Sequence, residues 1–117
     1  MKITTSLAAA AVAAVFAVPA HATGGLICRS AAGEVSLTIG HTASPAIVAA
    51  RLSANGRVVP TSLAQGWIDR SEIRLDLTDP NATLIEARLR AKRTGNYYEG
   101  ALARRGMKPR WVRCREG

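Results

Sequence analysis

Apolar residues recur at every second position in one stretch of this chain after another, and that spacing excludes most architectures. Val35, Leu37 and Ile39 alternate with Glu34, Ser36 and Thr38; Ile73, Leu75 and Leu77 alternate with Glu72, Arg74, Asp76 and Thr78. Successive side chains of a strand point to opposite faces of its sheet, so strict alternation marks a strand with one face buried. Ile85, Ala87, Leu89 and Ala91 repeat the pattern between Glu86, Arg88, Arg90 and Lys92. Leu84–Arg93 is also rich in helix formers, and Asp79-Pro80 is a helix-start signal. A helix there has only Ile85 and Leu89 as large members of its apolar stripe, so the period of two decides for a strand. Leu26–Ser30 and Ile47–Ser53 read as further strands, with Val48, Ala50 and Leu52 sharing a face of the latter.

Turn chemistry sets the expected registers. Asn55-Gly56 suits a type I′ hairpin, placing Leu52 opposite Val59 and Ser53 opposite Val58. Pro60 has no N–H to donate and ends that strand at a sheet edge. Thr61–Gly66 reads as a polar loop, with Trp67 plugging the core beneath it. A three-residue Asp79-Pro80-Asn81 turn sets Leu75 opposite Ile85, Ile73 opposite Ala87, Arg74 opposite Glu86 and Glu72 opposite Arg88. Gly95-Asn96 pairs Leu89 with Leu102, Ala91 with Gly100 and Lys92 with Glu99, and the same register brings Glu86 to Arg105. A Gly106-Met107-Lys108 loop pairs Leu102 with Val112 and Gly100 with Cys114. The expectation is an all-β fold, a small antiparallel meander barrel or sandwich of seven to eight short strands.

Residues 1–22 read as a cleavable signal peptide. Lys2 precedes an apolar run from Ile3 to Val18, Pro19 breaks it, and Ala20-His21-Ala22 offers small residues at the two positions a signal peptidase reads. The run is shorter than the ~20 residues of a spanning helix, and no second hydrophobic run follows, so no integral membrane span is expected after cleavage. Residues 23–117 then form a single domain with a modest core that benefits from a covalent staple. Cys28 and Cys114 are the two cysteines, and export to the periplasm or the medium favours a disulfide between them.

Charge is unevenly placed. The chain carries a formal net charge of +8, and between Arg88 and Arg115 ten basic residues accompany one acid, Glu99. Such asymmetry points to an anionic partner. In the registers above, Arg90 and Arg113 flank Ala101 while Arg88 and Trp111 flank Ala103, a shallow trough with guanidinium walls and one indole. Arg88, Arg90, Arg110, Trp111, Arg113 and Arg115 are the candidate ligand-binding residues, with Arg90, Arg110, Arg113 and Arg115 expected to lack acidic partners. A planar guanidinium suits phosphate or carboxylate, and an exposed indole stacks on a sugar or base. The partners this implies are an anionic glycan, a lipid head group or a nucleic acid at the cell envelope.

Enzymatic chemistry has little to stand on. His41 is the one histidine outside the leader, nothing resembles a nucleophile elbow, and carboxylates such as Glu72 and Glu86 face arginines. No metal-ligand spacing or phosphate-cradling glycine loop occurs, so neither metal nor cofactor is expected. In size, leader and expected β-architecture the chain resembles the small bacterial inhibitors of c-type lysozyme. The likeness is one of layout, with Tyr97-Tyr98-Glu99-Gly100 in place of the family's tyrosine- and serine-bearing loop, and it carries no inhibitory residues over. It implies a protein-binding module, including an inhibitor of a secreted hydrolase, as the alternative function, with a secreted or envelope protein as partner.

Overall fold

A computed structural model describes residues 24–41 and 43–117. The expected signal peptide lies outside the described residues. These form nine antiparallel strands: β1 (Gly24–Ser30), β2 (Gly33–His41), β3 (Pro45–Ala54), β4 (Arg57–Val59), β5 (Ser62–Ile68), β6 (Glu72–Thr78), β7 (Ile85–Thr94), β8 (Tyr97–Arg104) and β9 (Arg110–Glu116). They make one sheet in the order β4-β3-β2-β1-β9-β8-β7-β6-β5. The architecture is a single curled half-barrel sheet, not two packed layers.

Every neighbouring pair in that order is antiparallel, so the edge strands β4 and β5 run in the same direction. Only Pro60 and Thr61 separate them. The segment from Arg57 to Ile68 therefore behaves as one strand that leaves β3 at Pro60 and joins β6. This accounts for nine strands where seven to eight were expected. Ser62–Ile68, expected to be largely loop, is a strand held by backbone pairing to β6, and its side chains are mostly exposed. A buried face would have shown as alternation; on this strand only Ile68 packs, half-buried, against the core. The curled sheet brings its edges together where Gly66 lies against Ile47, and a Cβ on Gly66 would sit 3.2 Å from the Ile47 Cβ.

The first and last strands close the other side. β1 and β9 pair directly, with Cys28 opposite Cys114 and their Cα atoms 3.9 Å apart, and the two form a fully buried disulfide. Around it Val35, Leu37, Leu52, Ile73, Leu75, Leu77, Leu89, Leu102 and Val112 are essentially inaccessible. Truncating any of the leucines to Ala would cost about 2–5 kcal/mol. Tyr98, opposite Cys114, adds a long-range tie: its hydroxyl donates to the Asp69 carbonyl at 2.8 Å, reaching from β8 to the β5–β6 turn.

Several registers hold. Asn55 and Gly56 both have positive φ, as a type I′ turn requires, and Leu52–Val59 and Ser53–Val58 are opposed. Leu89–Leu102, Ala91–Gly100 and Lys92–Glu99 are also as expected, and of Leu84–Arg93 all but Leu84 is extended, within β7. Two registers are corrected. The β6–β7 connection is longer than three residues, because Asp79 organises it: its Oδ1 accepts from the Thr83 and Leu84 amides at 2.7 and 2.8 Å, and its Oδ2 from the Thr83 hydroxyl at 2.8 Å. Leu75 consequently faces Leu89, Ile73 faces Ala91, Arg74 faces Arg90 and Glu72 faces Lys92. The displacement is even-numbered, so the buried face survives the error. A bulge between Leu77 and Thr78 then reverses the parity at the start of β7. Ile85, expected in the core, is 41% exposed, and Glu86 is buried in an ion pair with Arg105 at 2.9 Å. A second bulge, between Thr38 and Ile39, sends Val48 outward and brings Ile47 in.

The β8–β9 register is corrected by two residues: Gly100 faces Val112, Tyr98 faces Cys114 and Ala101 faces Trp111. Trp67, expected as a core plug, stands on the outer face at 47% exposure.

Gly100 shows why the sheet tolerates no side chain at one point. A Cβ there would collide with the Arg90 carbonyl and lie 2.7 Å from the Ala91 Cα, both backbone atoms. Gly100→Ala is expected to destabilise the domain by roughly 1–3 kcal/mol, read as a lower urea midpoint. The Cys28→Ala, Cys114→Ala double variant should lose about 4 kcal/mol, because the bridge spans 86 residues of sequence. An unchanged midpoint would contradict the closure.

Candidate anion-binding face

The corrected registers rebuild the outer face. One row crosses five strands in the order Trp67, Arg74, Arg90, Ala101, Trp111. At the usual inter-strand spacing, four steps make this about 19 Å along the curve. A neighbouring row carries Asp76, Arg88 and Ala103, and another Glu72, Lys92, Glu99, Arg113, Arg29 and Glu34. Ala101 and Ala103 do form a low floor, but its walls differ from those expected: Arg90 and Trp111 flank Ala101, and Arg113 stands beside Glu99.

The arginines are largely committed to acids. Arg88 Nε and Arg90 Nη1 both reach Asp76 Oδ1, at 3.0 and 3.1 Å. Arg90 Nη1 also donates to the Leu75 and Leu89 carbonyls at 3.2 and 2.9 Å, which makes it a cross-strand staple. Arg113 holds Glu99 Oε2 through Nε at 2.8 Å and Nη2 at 2.7 Å. Arg90 and Arg113, expected to be unpaired, are therefore paired. The cause is register: a four-residue shift brought Asp76 beside Arg88 and Arg90, and a two-residue shift brought Glu99 to Arg113. Arg110 leaves the face altogether, since it lies opposite Leu102 and shares the inward parity of Val112. Of the expected set, Arg115 stays on the face beside Ile27 and makes no ion pair among the described residues, and Lys92 joins it in that respect.

Aromatic rings are the larger feature. Trp111 is 59% exposed, and the Arg113 guanidinium sits between it and Tyr97, 5.3 and 4.6 Å from the two ring centroids. Arg74 lies 5.4 Å from the Trp67 ring. Each contact keeps a guanidinium against an aromatic ring while leaving much of that ring in water. Trp67, Arg74 and Tyr97 belong to the face but were not among the expected residues. Their signal was the adjacency of Trp67 and Ile68, outward and inward on one strand, which is legible only once Ser62–Ile68 is known to be extended.

Trp67 is aimed by the turn that follows it. Its Nε1 donates to Asp69 Oδ2 at 3.0 Å, while Asp69 Oδ1 accepts from the Ser71 amide, the Ser71 hydroxyl and the Glu72 amide at 2.8, 2.9 and 2.9 Å. These bonds, the Ser71 and Glu72 amides foremost, hold the Asp69 carboxyl at about 2 against an ordinary 3.8. Burial pushes Asp76 up, but hydrogen bonds and charge from Arg90 and Arg88 outweigh it and leave the carboxyl below its ordinary value. Asp79 is lowered by the Leu84 amide first and the Thr83 hydroxyl next.

Elsewhere, His41 ends β2 opposite Pro45, and no cluster of metal-ligating side chains occurs among the described residues. Comparison with protein-family models, curated proteins and solved structures finds no match to this chain.

The lowered carboxylates give a definite acid response. Between about pH 4 and pH 2 the unfolded chain binds a proton at Asp69 that the folded chain refuses, so stability falls as pH drops through that window. Asp69→Asn is expected to flatten this part of the profile, read as urea midpoints at about pH 5 and about pH 2.5. An equal acid-induced fall in both proteins would show that the turn carboxylate is not responsible.

Proposed function

We propose that this protein is an exported, non-enzymatic binding module, of the periplasm or the medium, that holds an acidic polymer across its outer face. The observation that carries this is the single cross-strand row with exposed Trp67 and Trp111 at its ends and Arg74, Arg90 and an alanine floor between them. Indoles stack on sugar rings or bases, and arginine forks take carboxylate, sulfate or phosphate. The alanine between Arg90 and Trp111 leaves room for a chain to lie against the sheet. Most arginines of these rows already hold an acid, so stacking contributes more than net charge, and Lys92 and Arg115 supply free positive charge beside them. An acidic glycan fits these demands best, and the buried disulfide suits an oxidising compartment.

Binding of polygalacturonate, with dextran as the neutral control and a single-stranded oligonucleotide as the competitor class, tests the reading. Polygalacturonate should bind in preference to dextran, and Trp67→Ala and Trp111→Ala should each weaken it about tenfold, a loss of the size seen when a stacked ring is removed. Retained affinity in both variants, or equal affinity for dextran, defeats it; preference for the oligonucleotide moves the assignment to nucleic acid.

A second reading, a protein-binding module or an inhibitor of a secreted hydrolase such as lysozyme, has its own observation. Val48, Val58 and Leu63 are exposed on β3, β4 and β5, beside the two edges of the sheet. Edge strands with exposed apolar residues accept extended partners. A panel of secreted hydrolases assayed with micromolar protein decides it, and full activity throughout would remove it.

A further inference from the structure

The turns at one end of the half-barrel form an open cavity of about 560 Å³, whose lining includes none of the five residues of the tryptophan row. Its walls come from the β1–β2 turn, the β3–β4 hairpin and the end of β8. Small residues such as Ala31, Gly33 and Gly56 line it and leave it open, while Ser30, Ser53 and Asn55 give it hydroxyl and amide groups.

Arg104 is the cavity's unusual residue. It stands opposite the buried Ala87 and shares the inward parity of Leu102, so its side chain enters the barrel end. It makes no ion pair among the described residues. Its Nη1 donates to the Ala32 carbonyl at 3.3 Å, and its Nε is buried with no acceptor. A buried guanidinium N–H without a partner is costly, and a charged one more so. The one carboxylate lining the cavity, Glu34, is held by Arg29 at 3.7 Å. Arg57 and Lys108, chain neighbours of the lining residues Gly56 and Met107, form no ion pair either among the described residues. The site has positive charge, polar groups and space, with an unpaired donor buried beside it, and lacks an anion.

We infer that this cavity binds a phosphorylated sugar, its phosphate on Arg104 and its hydroxyls on the Ser30, Ser53 and Asn55 side. A guanidinium fork matches phosphate oxygens, and the volume lies within the range of small-molecule sites. Arg57 and Lys108 add the field that draws a dianion in, and the Glu34 carboxylate, neutralised by Arg29, is left to accept from sugar hydroxyls.

Amide chemical-shift mapping with glucose 1-phosphate tests the site, using inorganic phosphate, glucose and the methyl phosphodiester of glucose 1-phosphate as further arms. Glucose 1-phosphate should shift the amides of Ser30–Glu34, Ser53–Gly56 and Arg104–Met107 with a Kd of about 1 mM or below. Arg104→Gln, checked for folding by its amide spectrum, should weaken binding at least about tenfold. Tighter binding of the diester assigns a lipid- or polymer-borne phosphosugar, and tighter binding of the monoester a free one. No shifts at these turns in the wild-type protein, or unchanged affinity in a folded Arg104→Gln, overturns the site. Equal binding of inorganic phosphate overturns the sugar, and equal binding of glucose overturns the anion. Polygalacturonate binding can fail while this succeeds, or the reverse, because the five residues of the tryptophan row are not among those lining the cavity.

Discussion

The pairing of β1 with β9, locked by the Cys28–Cys114 bridge, is the contact on which the rest of the sheet depends. The strands from β1 to β4 form one meander and those from β5 to β9 another, and β1 with β9 is the pairing that joins them. The bridge joins residues 86 apart at the one ladder that turns a linear series of hairpins into a continuous sheet. The unpaired break is thereby moved to β4 and β5, where Pro60 prevents one donor from joining a ladder. Closing the break with hydrogen bonds would require the segment from Arg57 to Ile68 to serve β3 and β6 along its whole length. It serves them in succession instead.

Electrostatics on the outer face follow from which strands are neighbours. An acid on β6 lies beside the arginines of β7 and another on β8 beside those of β9, so the cationic third of the sequence is sewn to its neighbours by pairs such as Arg88–Asp76 and Arg113–Glu99. Exposed pairs of this kind stabilise weakly each; their consequence is to reduce the free charge of the face and keep guanidiniums close to the rings of Trp67, Trp111 and Tyr97. Free positive charge is displaced elsewhere, including to Arg104 at the barrel end, whose parity places it inside and which makes no ion pair among the described residues.

Legibility in the sequence tracked burial. Strands that bury one face, such as Glu72–Thr78 and the run from Ile85, were readable because water excludes alternate residues and writes a period of two into the composition. The Asn55-Gly56 and Gly95-Asn96 turns were readable because two-residue hairpins permit few residue types. Ser62–Ile68 was not, since an edge strand held by its backbone needs no pattern. The Asp79 loop misled because Asp-Pro-Asn suits a tight turn as well as a wider one capped by the Asp79 carboxylate. That one ambiguity moved four cross-strand partners and reassigned Asp76 to Arg88 and Arg90.

The amino-acid sequence by itself determined the all-β class, the disulfide partners and the residues that line most of the core, because each depends on parity or on there being one possible pair. Tertiary structure decided the registers across the two longer loops, the outward swing of Val48, Ile85 and Trp67, and hence which arginines remain free. A shift by an even number of residues keeps the inward set unchanged while replacing every lateral neighbour. Core residues are therefore insensitive to register, and the arginine-rich face, made entirely of lateral neighbours, is defined by it.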